Sequence, residues 1–209
     1  MTHHLTDLRW MSLAIAVARG QMGRTAPNPA VGCVLVRDAQ LIATGATDDG
    51  GRPHAERRAL DLAGGLAEGS TAYVTLEPCA HHGQTPPCAE ALVAARVRRV
   101  VVACMDEDER VAGKGVERLR QAGIEVITGC GEDLAAPLYT GFFHRLRHGR
   151  PALFVDQFDQ GFDGALEQVD LAELSDTLHA LARAGASRIR VAPDHPLLLE
   201  GYLQDHLGH

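Results

Sequence analysis

Four side chains of this sequence have the types and the spacing of a catalytic zinc site. His54, Cys79 and Cys88 offer one imidazole and two sulfurs, and three protein ligands leave the fourth tetrahedral position open for water. Glu56 stands two residues after His54, so its carboxyl group can work on that water without being a ligand. The sequence therefore predicts a Zn²⁺ ion on these three ligands, with Glu56 as the catalytic proton carrier.

The spacing is close to the H-x-E and P-C-x-x-C pattern of zinc-dependent base deaminases. His54-Ala55-Glu56 and Pro78-Cys79 match it, but the eight residues Ala80–Pro87 separate the two cysteines where the pattern has two. Removing an amino group from a pyrimidine ring requires a hydroxide and a proton for the departing ammonia. Zinc lowers the pKa of its bound water to about 7, and a nearby carboxylate can carry the protons. We therefore expect a hydrolytic deaminase.

Each part of this motif has a simpler interpretation. A lone histidine such as His54 is usually a surface residue or one with its hydrogen bonds satisfied, and the two cysteines alone fit a structural zinc half-site or inert thiols. A structural site usually completes its shell with a fourth Cys or His, and His81 and His82 are the nearby candidates. The combination with Glu56 favours catalysis, since a structural site has no use for an acid that is not a ligand.

The composition is that of a globular protein with a small-molecule substrate. The chain has 209 residues and is 45% hydrophobic, enough for one large domain or one domain with an appendage. The balance of 20 Lys and Arg against 27 Asp and Glu gives a net charge of −7, which disfavours a nucleic-acid partner. Aromatic residues make up 4%, so stacking along unpaired bases is also disfavoured.

Targeting signals are not evident in the sequence. No apolar run approaches the ~18–20 residues of a membrane span. Residues 1–7 lack the charged and then apolar layout of a signal peptide. We therefore expect a cytoplasmic protein without a membrane partner.

Alternating helical and strand patterns favour an α/β fold. Helices are predicted over 7–20, where Asp7 can serve as the cap, 54–63, 88–95, 114–122 and about 133–147, and strands over 31–36, 41–45, 71–76, 97–104 and 124–128. Crossover helices connect parallel strands, and the opening hairpin makes the sheet mixed. His54 begins a helix and Cys79 follows a strand, at the edge of an open α/β sheet where active sites gather.

Gly149-Arg150-Pro151 marks the predicted end of the deaminase domain. Residues 1–149 form that domain in this interpretation. Residues 150–209 contain one strand at 152–155, one helix at 171–184 and one strand at 187–192, which are too few elements for an expected independent domain.

The stretch from Pro78 to Cys88, which ends in Thr-Pro-Pro-Cys, resembles the deaminase domain of the bifunctional riboflavin-biosynthesis deaminase/reductase. Further matching pieces lie at 27–34, 50–56, 75–79, 111–115 and 141–145, and the resemblance covers about residues 7–150. It implies a three-layer αβα, cytidine-deaminase-like fold. It also implies a phosphorylated substrate, 2,5-diamino-6-ribosylamino-4(3H)-pyrimidinone 5′-phosphate, which loses its 2-amino group as ammonia.

The resemblance also implies residues that bind the substrate. Asn28 would hydrogen-bond the pyrimidine edge, and its alternative role is to form a turn in a proline-rich loop. His81 would lie near the phosphate, or be only a loop residue. Asp106 would accept hydrogen bonds from ribose hydroxyls, although the acidic run at 106–109 equally fits a solvated turn.

Two substrate-binding positions depart from the family pattern. Gln84 stands where the family usually has Lys or Arg for the phosphate, and a neutral donor makes a weaker hydrogen bond than a cation. Asp108 stands where many members have Asn, which adds negative charge beside an anionic ligand. The sequence leaves open which nearby cation or histidine compensates, and the candidates are Arg52, His82, Arg110 and Lys114.

The family's reductase domain is expected to be only a remnant here. Ala192-Pro193-Asp194 stands where the reductase carries a Glu-Gly-Gly turn, and much of the region before it is missing. We therefore expect no reductase activity, a separate reductase chain in the pathway, and a homo-oligomer. Two alternatives remain: a deaminase of a related unphosphorylated aminopyrimidine or purine, and a catalytically idle scaffold stabilised by zinc.

Overall fold

A computed structural model describes residues 2–81, 86–158, 160–204 and 207–208. The chain divides into two compact units. The first comprises residues 1–20, 31–48 and 53–137, and the second comprises 21–30, 49–52 and 138–209. The predicted domain boundary at 149/150 remains a prediction. In the described part of the chain, no helix combines the length and the apolar character that crossing a membrane requires.

The first unit contains the predicted alternation of helices and strands. Its helices are α1 (Thr2–Arg19), α2 (Ala55–Ala63), α3 (Cys88–Ala94) and α4 (Lys114–Gln121), and α5 (Glu132–His148) begins in it. Its strands are β1 (Gly32–Arg37), β2 (Gln40–Ala46), β3 (Thr71–Leu76), β4 (Arg99–Cys104) and β5 (Glu125–Thr128). Most bounds differ from the sequence prediction by one or two residues, and those of β3 agree.

The five strands form one mixed sheet in the order β2-β1-β3-β4-β5. The hairpin β1-β2 is antiparallel, and β1 also pairs antiparallel with β3. The pairs β3-β4 and β4-β5 are parallel because α3 and α4 provide the crossover connections. The prediction of an α/β fold with a mixed sheet is confirmed.

Two glycines show how helices cover both faces of this sheet. A Cβ atom on Gly32 would lie 2.0 Å from the carbonyl oxygen of Ala14 in α1, and one on Gly45 would lie 2.3 Å from that of Ala55 in α2. Gly32 is opposite Ala46 in the β1-β2 ladder. Paired residues share a face of the sheet, and neighbours on one strand point to opposite faces. Gly45 is the neighbour of Ala46, so it faces away from the side that Gly32 faces. Therefore α1 and α2 pack on opposite faces, as a three-layer αβα fold requires.

Asp7 does not cap the first helix, and that prediction is wrong. The helix begins at Thr2, so Asp7 lies inside it and is buried. Its carboxylate accepts hydrogen bonds from the Arg99 guanidinium at 2.7 and 2.8 Å and from the Tyr73 hydroxyl at 2.9 Å. Asp7 therefore ties α1 to β3 and β4. Removing one partner of such a buried pair typically costs about 3–5 kcal/mol.

The second unit contains a small parallel sheet. Its strands are β6 (Ala152–Val155), β7 (Gly164–Ala165) and β8 (Arg188–Val191), in the order β6-β8-β7, and its further helices are α6 (Leu174–Arg183) and α7 (Pro196–Leu199). A cluster of buried aliphatic side chains that includes Leu153, Leu178 and Ile189 fills its core. The sequence predicted β6, β8 and α6, but it missed the two-residue strand β7.

Candidate metal centre

The first unit brings the predicted metal ligands to the ends of three elements. His54 is the N-cap residue of α2, with an extended backbone that follows Pro53. Cys79 comes three residues after the last residue of β3, and Cys88 is the first residue of α3, after the N-cap Pro87. The residues are far apart in the sequence, and the fold places them together because α2 and α3 pack against each other.

The three ligand atoms have the separations of a tetrahedral zinc site. His54 Nδ1 lies 3.7 Å from Cys79 Sγ and 3.4 Å from Cys88 Sγ, and all three atoms lie within 4.8 Å of one another. Zinc–sulfur and zinc–nitrogen bonds of about 2.3 and 2.0–2.1 Å give tetrahedral edges of about 3.5–3.8 Å. These residues therefore fit a Zn²⁺ ion. Among the described residues, this is the one group of three or more His, Cys, Asp or Glu that converges in this way.

The pKa values of the two cysteines shift in opposite directions. The pKa of Cys79 is lowered to about 4, first by the hydrogen bond from the Cys88 side chain and then by His54 and the Cys88 backbone N–H. That N–H donates to Cys79 Sγ at 3.2 Å. The pKa of Cys88 is raised by the same side-chain hydrogen bond and by burial. These contacts favour the thiolate form at Cys79 over that at Cys88, and binding a metal to both sulfurs releases a proton.

Glu56 lies beside the ligands and is buried. It stands in the first turn of α2 and its residue is 3% exposed. Burial is the main cause that raises its pKa to about 7, and the Cys79 thiolate adds to the effect. A hydrogen bond links its carboxyl group to the Cys88 side chain. A carboxyl group with this pKa can accept and return a proton near neutral pH, as a general acid and base must.

His81 does not belong to the ligand group. It is half-buried, and its Nδ1 atom is buried with no hydrogen-bond partner within the described part of the chain. It lines a cavity of about 450 Å³. The other lining residues are Ala80, Arg110, Gly113, Lys114, Glu117, Arg118 and Gln121. His82 and Gln84 lie outside the described residues, so their predicted roles stay predictions.

Asp106 and Asp108 lie in the loop after β4, and neither is fully solvated. Asp106 is half-buried, and burial is the main cause that raises its pKa to about 6. Its Oδ1 atom accepts a hydrogen bond from the Asp108 N–H at 2.9 Å. The Asp108 carboxylate pairs with the Arg110 guanidinium, whose Nε atom lies 2.9 Å from Oδ1. The loop is therefore an ordered, partly buried turn.

Asn28 belongs to the second unit. Its backbone N–H donates to the Thr25 carbonyl oxygen at 2.9 Å, which closes a turn. Its side-chain amide donates to the Gly51 carbonyl oxygen at 2.8 Å. The turn-forming alternative is therefore realised, and the contact with a pyrimidine stays a prediction.

Arg118 is a cation that the sequence interpretation missed. It lines the same cavity as Arg110 and Lys114, which were candidates for the phosphate. Within the described residues, Arg118 has neither an ion-pair nor a hydrogen-bond partner. Its spacing of four from Lys114 places both side chains on one face of α4, and this was the signal that could have found it.

Comparisons with known proteins agree with this centre. The family model of the "Cytidine and deoxycytidylate deaminase zinc-binding region" matches residues 5–104, which contain all three ligands and Glu56. A solved structure of RibD from Acinetobacter baumannii (form 1) is 32% identical over 98% of this chain and 85% of that chain, with a TM-score of 0.80. The chain belongs to the RibD family of riboflavin biosynthesis proteins. The predicted family and the predicted zinc ion are thereby confirmed.

Two further relatives of this RibD-family chain are longer than it is. The Escherichia coli riboflavin biosynthesis protein RibD is 48% identical over 70% of this chain and 40% of that protein. The Arabidopsis thaliana chloroplastic riboflavin biosynthesis protein PYRD is 36% identical over 96% of this chain and 52% of that protein. The chain thus spans about half of these relatives or less.

Proposed function

We propose that this chain hydrolytically deaminates 2,5-diamino-6-ribosylamino-4(3H)-pyrimidinone 5′-phosphate in riboflavin biosynthesis. The observation that carries the proposal is the convergence of His54, Cys79 and Cys88 with a buried Glu56 that is not a ligand. Three ligands leave a coordination position for water, whereas a structural site closes its shell with a fourth.

Glu56 performs the proton transfers in this proposal. Zinc, when bound to the three ligands, lowers the pKa of a water molecule to about 7. Glu56 accepts the proton of that water and passes it to the ring nitrogen next to the carbon under attack. Glu56 then takes the remaining proton from the hydroxyl group now on the ring carbon and gives it to the leaving amino group, so that one water enters and one ammonia departs. Burial raises the pKa of Glu56 to about 7, and a pKa close to neutral suits a group that both accepts and donates protons.

The cavity beside His81 supports recognition of the phosphate. Arg110, Lys114 and Arg118 contribute three positive charges to its lining, and Glu117 contributes one negative charge. The charge of Arg110 is balanced by Asp108, and Lys114 Nζ donates to the Glu109 carbonyl oxygen at 2.7 Å. The Lys114 and Arg118 charges are therefore the ones available to an anion. In this proposal they supply the charge that Gln84 lacks.

The second unit supports the absence of reductase activity. Its cavity of about 880 Å³ has four acidic residues in its lining, Glu167, Asp170, Glu173 and Glu200. Neither Lys nor Arg is found in that lining among the described residues. A nicotinamide dinucleotide carries several phosphates, and a carboxylate-lined cavity repels them. We therefore expect reduction to come from a separate chain.

The test is ammonia release by the purified chain from the phosphorylated diaminopyrimidine and from its dephosphorylated form, with metal analysis of the same sample. We expect about one zinc per chain and a strong preference for the phosphorylated compound. Equal turnover of both compounds would support the alternative substrate class, an unphosphorylated aminopyrimidine or purine. Bound zinc without turnover of either would support the idle scaffold.

A further inference from the structure

Glu77 is a buried carboxylate next to the metal centre to which the sequence interpretation assigned no role. It follows the last residue of β3, stands two residues before Cys79, and is 4% exposed. No Lys or Arg pairs with it in the part of the chain that the structure describes. A buried carboxylate needs compensation, and here it must come from hydrogen-bond donors.

Three backbone N–H groups supply that compensation. Glu77 Oε1 accepts from Val116 N at 3.1 Å, in the first turn of α4. Its Oε2 atom accepts from Gly113 N at 3.0 Å and more weakly from Asp106 N at 3.4 Å. The N-terminal end of α4 also favours a negative charge at this place. One carboxylate thus binds both ends of the loop 105–113.

Gly115 brings α4 against the same strand end. A Cβ atom at this position would lie 1.9 Å from the Pro78 carbonyl oxygen and 3.2 Å from Glu77 Oε1. A larger residue would therefore push α4 away from the segment that precedes Cys79. The close approach and the three hydrogen bonds both attach the loop 105–113 to the chain segment that carries a metal ligand.

We propose that Glu77 is a positioning residue for the substrate. It keeps the loop that carries Asp106 and Asp108 at a fixed position relative to Cys79. It neither touches the substrate nor binds the metal. This inference rests on the proposed function, since the loop matters only if these residues bind the ribosyl phosphate. Both carboxylate oxygens are needed, because a Gln at position 77 would turn an N–H₂ group toward one of the donors.

The test is Glu77→Gln in the full chain, with Glu125→Gln as the matched control. Glu125 is an exposed strand carboxylate that pairs with Arg99 away from this loop. We expect Glu77→Gln to keep its zinc and to raise KM for the phosphorylated pyrimidine by about tenfold or more, with kcat within about threefold. We expect the control to match the wild type. An unchanged KM, or a loss of zinc with a collapse of kcat, would overturn the proposal.

Amide hydrogen exchange separates this inference from the proposed function. In Glu77→Gln the amides of Asp106, Gly113 and Val116 should exchange about tenfold faster or more, while those of β3 stay protected. Exchange unchanged from the wild type would refute the loop anchor even if the enzyme is active. Faster exchange in Glu77→Gln, together with a wild type that releases no ammonia from the phosphorylated pyrimidine, would support the anchor and refute the proposed substrate.

Gly113→Ala perturbs the same contact without changing Glu77. Gly113 has a φ of +80°, which is unfavourable for alanine, but a Cβ atom added there would have no neighbour within 4 Å. We expect a smaller rise of KM in the same direction, with zinc retained. A fall of kcat at unchanged KM would contradict the positioning role.

Discussion

Both units of this chain contain parallel strand pairs, and among the described residues the candidate metal centre lies in the first unit. In the first unit, β3 is followed by Glu77-Pro78-Cys79, and its neighbour β4 is followed by the loop that carries Asp106. In the second unit, β8 is followed by Ala192-Pro193-Asp194, and the cavity of that unit has four acidic residues in its lining. The carboxyl edge of a parallel sheet offers a place for a site, but the residue types at that edge decide whether a site exists.

The largest expected effect that tests this comparison is the loss of activity in Glu56→Gln. The amide cannot take the proton of the attacking water, so ammonia release should fall by about 10²–10⁴-fold. The three ligands are unchanged, so zinc content should stay near one per chain. The measurements are ammonia release and metal analysis on the same sample. Turnover equal to that of the wild type would refute the assigned role of Glu56.

The core of the second unit should matter for stability and not for the metal. Leu178 is fully buried in α6, and Leu178→Ala should lower the free energy of unfolding by about 2–5 kcal/mol. The folded protein should still bind one zinc. Leu199 is 72% exposed, so Leu199→Ala is the matched control and should change stability by less than about 0.5 kcal/mol. Denaturant unfolding with metal analysis compares the two, and zinc loss in folded Leu178→Ala would contradict the division of roles.

Asp106 should make substrate binding depend on pH near 6. Burial first, and then the neighbouring charges of Asp108 and Glu77, raise its pKa to about 6, so it is protonated at pH 5 and charged at pH 7. A carboxylate accepts hydrogen bonds from hydroxyls more strongly than the neutral acid does. KM should therefore fall by up to about tenfold as the pH rises from 5 to 7.

Asp106→Asn is the control for that pH profile. The phosphate of the substrate also titrates near pH 6, and the variant retains that contribution alone. KM of the variant should be higher at pH 7 and should change less between pH 5 and 7. Identical profiles for the variant and the wild type would exclude Asp106 as the titrating group.

The smallest expected effect is the response to NADPH. The carboxylate-lined cavity of the second unit should give no binding at micromolar concentrations and no NADPH oxidation with the deaminated product. Fluorescence titration and absorbance at the reduced nicotinamide band measure both. Tight binding or turnover would show that this unit retains reductase function and would remove the contrast between the two units.

Local sequence patterns predicted most helices and strands. They failed where the role of a residue depends on a contact with a residue far away in the sequence. The bounds of β3 and β6 were predicted correctly because their apolar runs are bounded by turn and proline residues. The start of α1 was predicted wrongly because Asp7 has the properties of a cap. Its carboxylate is instead used by Arg99 and Tyr73, which lie far along the chain. Such a partner leaves no mark in the neighbouring sequence.

Some features of the candidate site could likewise be predicted from the sequence, and others depend on the fold. The sequence by itself determined the metal-binding chemistry, because an imidazole, two thiols and an acid that is not a ligand have the same donor properties wherever the chain places them. Only the tertiary structure decided that Glu77 collects three backbone N–H groups from positions 106, 113 and 116, and that Arg118 joins Lys114 beside His81. Burial and backbone hydrogen bonds depend on which segments pack together, and that is a property of the whole fold.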